Sequence, residues 1–186
     1  DSQKIVHAAL IGVNGINDEW QLEILDKLAE KQETDSSFVT DFIKAHKVKD
    51  EKFLTKSFRN TTENWITNAY GNNVKEAEGI RSILNHTLKE GNDVSISKFI
   101  KESISDPERQ ESYKELLEEK EINEDFPIDK TWVEKKLKRR SIKTNTGFDI
   151  KGLLEDFEDP MKYTITQNPD GTVDIRIKNI EFYEEK

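Results

Sequence analysis

The hydrophobic period of this chain changes once, near residue 140, and that change limits the architectures open to it. Upstream, apolar residues recur at three- and four-residue spacing. Ala77, Ile80, Ile83, Leu84 and Leu88 form a nearly pure helical stripe, and Phe53, Leu54, Phe58, Trp65 and Ile66 form another. Downstream, Ile142 and Thr144, then Phe148 and Ile150, alternate with polar neighbours, as do Val173, Ile175 and Ile177. The expected class is α+β: an N-terminal β-hairpin, a central bundle of short helices, then a basic helix or strand followed by small antiparallel β-hairpins.

Local signals fix most of the boundaries. A helix over about Asp50–Tyr70 should end at Gly71, and Asn73 with Glu76 three residues on makes a capping-box-like start for the next, which stops at Gly91. Ser95 is placed to cap a helix carrying Phe99, Ile100 and Ile104, and Asp106 with Pro107 opens one carrying Tyr113, Leu116 and Leu117. Ser36 or Ser37 would cap a short helix over Phe38, Val39, Phe42 and Ile43. The opening run Lys4–Val13 and the alternation at Trp20, Leu22 and Ile24 read as a hairpin, although residues 25–30 also suit a helix. Three regions follow: 1–30, a hairpin left from a larger N-terminal sheet; 36–128, helical; and 129–186, a basic segment with a C-terminal β unit.

Turn chemistry sets the two later hairpins. Asn145 to Gly147 closes the first, while Asn168, Pro169, Asp170 and Gly171 close the second, Pro presetting φ and Gly accepting a positive one. Tyr163 and Ile165 belong on the strand facing Ile175 and Ile177.

Charge is the other asymmetry. From Lys130 to Lys143 there are seven cations and one acid, a net of +6 within a chain whose total is −9. If residues 129–140 are helical, Trp132, Val133, Lys136 and Leu137 share an inward side and Lys135, Lys138 and Arg139 point out. Residues 106–129 hold ten acids and three bases, so the helix pair there, although spaced like a helix-turn-helix, would be repelled by phosphates. A DNA contact is expected instead at Lys135, Lys136, Lys138, Arg139, Arg140 and Lys143, extended by Lys151, Arg176 and Lys178 if the hairpins pack alongside. Arg139 and Arg140 stand out because a guanidinium binds phosphate bidentately. The same run is equally explained as a solvated face, or as a partner for the acidic segment before it.

The succession FPIDKTWVEKKLKRRSIKTNTGFDIKGLL followed by NPDGTVDIRIKNI resembles the C-terminal signature of bacterial nucleoid-associated proteins of the NdpA type. The matching positions are Ile142, Lys143, Thr144, Gly147, Ile150, Asn168, Pro169, Asp170, Gly171, Thr172, Ile175, Ile177, Lys178, Asn179 and Ile180; Asn145 stands where that family usually has Asp. Weaker similarity reaches the start of the chain. The resemblance implies a non-enzymatic, nucleoid-associated, double-stranded DNA-binding protein of the bacterial cytoplasm, present here as a C-terminal portion. It carries over no catalytic or base-reading motif. The first residue, Asp1 rather than Met, fits a chain cut from something larger. A hairpin detached from its sheet would leave an edge that a homodimer is one way to cover.

Other classes find little support. At 186 residues with 33% hydrophobic and 36% charged side chains, the chain is long enough for a core. No apolar run approaches the roughly 20 residues of a membrane span. With no cysteine, disulfides and thiolate metal sites are excluded, and a reducing compartment is compatible. His7, His46 and His86 lack metal-ligand spacing, Gly12 and Gly15 make no P-loop, and the serines sit at helix starts as caps. No catalytic residue, metal, cofactor or small-molecule substrate is expected. Two alternatives stay open: an interaction module whose basic tract docks an acidic partner, and a metal-dependent nuclease built on Asp149, Lys151 and Glu155.

Overall fold

Why the helical stripes close on one another is visible in the computed structural model, which describes residues 7–11, 22–26, 39, 41 and 49–185. The chain divides into two compact units, residues 1–48 and 49–186. In the first, β1 (His7–Ile11) pairs antiparallel with β2 (Leu22–Asp26), His7 opposite Asp26 and Ile11 opposite Leu22, so the expected hairpin forms. Leu25 and Asp26 are strand rather than helix; residues 27–30 and the expected helix over 36–43, apart from Val39 and Asp41, lie outside the described residues.

The second unit is built on two long helices, α1 (Glu51–Tyr70) and α2 (Val74–Glu90). Each begins where a side chain accepts an orphan amide: the Asp50 carboxylate from Phe53 N at 2.7 Å, and the Asn73 carbonyl from Glu76 N at 3.2 Å. α1 buries Phe58, Trp65, Ile66 and Tyr70, and with them Thr55, Thr61 and Thr62. Thr55 and Thr62 tolerate the interior because their hydroxyls donate to the carbonyls one turn back, Glu51 O at 2.7 Å and Phe58 O at 2.6 Å. Ala77, Ile80, Leu84 and Leu88 of α2 complete that layer.

Two shorter helices cover it. α3 (Ile96–Ser103) inserts Phe99 and Ile100, and α4 (Pro107–Glu119) inserts Tyr113 and Leu117. Tyr113 is fully buried and its hydroxyl meets Thr62 Oγ1 at 2.6 Å; burial pushes its phenol well up despite that hydrogen bond. Ser95 occupies the N-cap of α3 without making a side-chain cap bond; the Ile96 amide donates instead to Asp125 Oδ1 at 2.9 Å. A carboxylate from 29 residues later replaces the expected hydroxyl, the stronger acceptor for a helix N-terminus. Asp125 is held there by a two-residue ladder, β3 (Asp93–Val94) against β4 (Phe126–Pro127), with Val94 opposite Phe126 and both buried.

The basic segment is then divided between two element types. α5 (Lys130–Lys136) is capped by Asp129, whose carboxylate takes the Trp132 amide at 2.9 Å and whose own amide donates to buried Thr55 at 3.0 Å. The helix expected as far as residue 140 stops at Lys136, and Arg139 and Arg140 lie on β5 (Arg139–Lys143), paired antiparallel with β6 (Asp149–Leu153). Continuing the helix would crowd Lys135, Lys136, Lys138, Arg139 and Arg140 onto two turns. The strand sends successive cations to opposite faces. Leu153 leads into α6 (Leu154–Glu158), and a second hairpin, β7 (Tyr163–Gln167) with β8 (Val173–Ile177), ends the regular structure. The expected regional boundary near residue 129 falls inside this unit, because Thr55 and α2 both grip the segment that follows it.

Both hairpins use the turn residues read from the sequence. Gly147 and Gly171 adopt φ of +94° and +85°, and the Gly171 amide donates to Asn168 O at 3.0 Å. Because open space surrounds the Gly171 Cα, only the backbone opposes a side chain there. Gly171→Ala is therefore expected to cost about 1 kcal/mol, checked by urea unfolding.

Candidate nucleic-acid interface

Strand alternation sorts the cations of the basic segment into two roles. Along β5, Arg139, Ser141 and Lys143 are exposed while Arg140 and Ile142 turn inward; across the register, Lys151 stands opposite Ser141 and Asp149 opposite Lys143. Lys135, Lys136 and Lys138 are also exposed. The side chains of Lys135, Lys136, Lys138 and Arg139 make no ion pair or hydrogen bond among the described residues. Lys151 is engaged more closely, its Nζ 2.7 Å from Asp149 Oδ2. That hydrogen bond, together with one from Ser141 at 3.1 Å, holds the Asp149 carboxyl below its ordinary range.

Arg140 faces the other way. Its guanidinium donates to Glu78 Oε2 at 2.8 Å and Oε1 at 2.7 Å, a two-pronged bond to the face of α2. Arg81 donates to the same Glu78 at 3.0 Å and to Glu63 of α1 at 2.9 Å, so that β5, α2 and α1 are joined by a row of alternating charge. The Arg140 side chain is 18% exposed and lies over the Phe157 ring, 5.4 Å from its centroid. Burial alone would raise the Glu78 pKa; the hydrogen bonds and charges of Arg140 and Arg81 outweigh it and hold the carboxyl below 4.5. Arg140, singled out with Arg139 from the sequence as a phosphate ligand, is spent on Glu78. Lys130 is engaged too, its Nζ donating to the carbonyls of Leu88 and Lys89 at the end of α2, at 3.2 and 2.7 Å.

A cleft of about 330 Å³ lies beside this surface, lined by Lys89, Lys130, Lys138, Glu134 and Glu155 above Val133, Leu137, Leu153 and Leu154. Its three lysines outnumber its two glutamates by one, but Lys89 is paired with Glu158 at 3.4 Å and Lys130 is held by backbone carbonyls, which leaves it little pull on a phosphate. Arg176 and Lys178 belong to the second hairpin: Lys178 Nζ donates to Pro160 O at 2.9 Å, and Arg176 lies 3.9 Å from Asp174. Of the nuclease alternative, Asp149 is tied to Lys151, and no group of three potential metal ligands forms among the described residues. His86 is exposed on α2.

A family model described as nucleoid-associated protein YejK matches residues 1–185. The chain belongs to that family. Membership spans both units, the hairpin at the start as well as the helical body and the basic β5–β6 surface. The resemblance read from the NPDG hairpin thus holds for the chain as a whole. Neither the curated proteins nor the solved structures compared with the chain gave a match. No helix among the described residues is long and apolar enough to cross a membrane.

Proposed function

We propose that this chain is a non-enzymatic double-stranded DNA-binding protein of the bacterial nucleoid, contacting the phosphate backbone through the exposed end of α5 and the outer face of β5–β6. The observation that carries this reading is the set of exposed, unpaired cations, Lys135, Lys136, Lys138 and Arg139, joined by Lys143 on the same strand face, in a protein of net charge −9. Concentrating positive charge on one face gives an acidic protein a local field that attracts a polyanion, while the acidic face of α4 disfavours other orientations. No base-reading motif carries over from the family, so the contact rests mainly on phosphates. Arg140 contributes indirectly, by holding β5 against α2.

Replacing Lys138, Arg139 and Lys143 together by Ala should weaken binding about 30-fold at low salt and reduce the salt slope by about three, equally on unrelated duplexes. A salt-titrated gel shift measures both. Unchanged affinity would move the interface elsewhere; absence of salt-sensitive binding by the unmodified chain, with capture of an acidic protein, would favour the docking alternative.

A further inference from the structure

The second hairpin ends in a strand whose outer edge has no partner among the described residues. β7 is fastened to the helical body: Gln167 accepts from the Val74 amide at 3.2 Å and donates to Asn72 O at 2.6 Å, and Tyr163 packs its ring against Phe157, centroids 4.8 Å apart. Among the described residues β8 pairs with β7 alone. Val173 is 41% and Ile177 54% exposed, and the strand contains no proline and no bulge to blunt it.

The backbone of β8 is phased for a further strand. Asn168 N donates to Thr172 O and Lys178 N to Lys162 O, both at 2.8 Å, so the even-numbered residues of β8 exchange hydrogen bonds with β7. The amides and carbonyls of Val173, Ile175 and Ile177 therefore point to the open edge. The sequence of the strand, Val-Asp-Ile-Arg-Ile, is also self-complementary about Ile175. In an antiparallel pair centred there, Val173 meets the second copy's Ile177, Ile175 meets itself, and Asp174 meets Arg176 twice. Ile175 then falls on a hydrogen-bonded position, matching its outward amide. The Asp–Arg pairs fall on the non-bonded positions where side chains approach most closely. A parallel pair in register would instead oppose Asp174 to Asp174 and Arg176 to Arg176.

We infer that β8 is a self-pairing edge, on which a second copy of this chain docks antiparallel about Ile175 to give a four-stranded sheet with two-fold symmetry. Arg176, read from the sequence as an extension of the DNA patch, here selects the partner. Within one chain Asp174 takes only the Asn168 amide at 3.1 Å and the Arg176 guanidinium at 3.9 Å, both exposed contacts that leave room for a stronger partner.

Sedimentation of the whole chain should show reversible dimerisation of the 21.6 kDa monomer. Asp174→Arg and Arg176→Asp should each weaken it about tenfold by setting like charges opposite one another, whereas the double exchange should restore it to within about threefold. Amide exchange on the unaltered chain gives a readout that needs no variant. The Val173, Ile175 and Ile177 amides should slow as concentration rises, while those of Asp174 and Arg176, already bonded to β7, should not change. A chain that stays monomeric, a double exchange no better than the single ones, or association that leaves the three odd-numbered amides unprotected would each overturn the inference.

Discussion

Phe58→Ala is expected to cost the second unit about 4 kcal/mol, a large fraction of the roughly 5–15 kcal/mol that holds an ordinary domain folded. The ring is fully buried at the meeting point of three elements: Phe99 of α3 stands edge-on at 5.1 Å and 76°, and Phe126 of β4 at 5.7 Å and 68°. Removing it opens a cavity whose walls are held by helices that cannot easily approach one another, and two edge-to-face contacts go with it. The loss also loosens Phe126, whose neighbour Asp125 caps α3, so the helix and its cap should fray together. Phe58→Leu keeps most of the volume and should cost about 1.5 kcal/mol. Urea unfolding followed by circular dichroism distinguishes the two. A Phe58→Ala cost below about 1 kcal/mol would mean that the core closes over the gap, contrary to the packing described.

Glu78→Ala should destabilise by about 3 kcal/mol, through a different mechanism. Its side chain is 24% exposed and serves Arg140 and Arg81 at once, so its removal leaves the largely covered Arg140 guanidinium without an anion, beside an Arg81 that keeps only Glu63. Arg140→Lys should lose about half as much, because a single ammonium cannot reproduce the two-pronged geometry. The folded-state pKa of Glu78 lies below its ordinary 4.5. The ion pair's contribution is therefore complete above about pH 4.5 and is lost as pH falls through the lower folded-state value. Unmodified protein should thus lose stability between those two values faster than Glu78→Ala, and the two unfolding curves should converge in acid. Curves that stay parallel down to pH 2 would mean that the pair contributes nothing beyond packing.

These two variants also show where sequence reading works and where it stops. Phe58 was legible because a helical stripe repeats every three or four residues, and the hairpin turns because Gly147 and Gly171 carry the positive φ their positions demand. The buried threonines were not. A hydroxyl counts as polar in any periodicity, and it takes the i−4 carbonyl beneath it, with the Asp129 amide for Thr55 and the Tyr113 hydroxyl for Thr62, to explain why these two can lie in the core. The β3–β4 ladder is two residues long, too short for an alternation to register, and α6 is a five-residue helix in a stretch without clear period. At the candidate interface the local charge density was readable, but its division was not. Arg140 meets an acid 62 residues away on another helix, a partner no run of neighbouring charges can reveal. The acidic segment before the basic tract, a more obvious counterpart by proximity, is not what Arg140 binds.

The Arg140–Glu78 bond has one more role, as a register pin. In β5 the residues that must face solvent and those that must face α2 alternate, so shifting β5 by one position against β6 would turn Arg139, Ser141 and Lys143 inward and present Arg140 and Ile142 to the outside. Ile142 opposite Ile150 gives only a small apolar contact to resist that slip. A bidentate salt bridge accepts a guanidinium at one place along the strand and at no other. The charge spent inside the protein is what determines which charges face out.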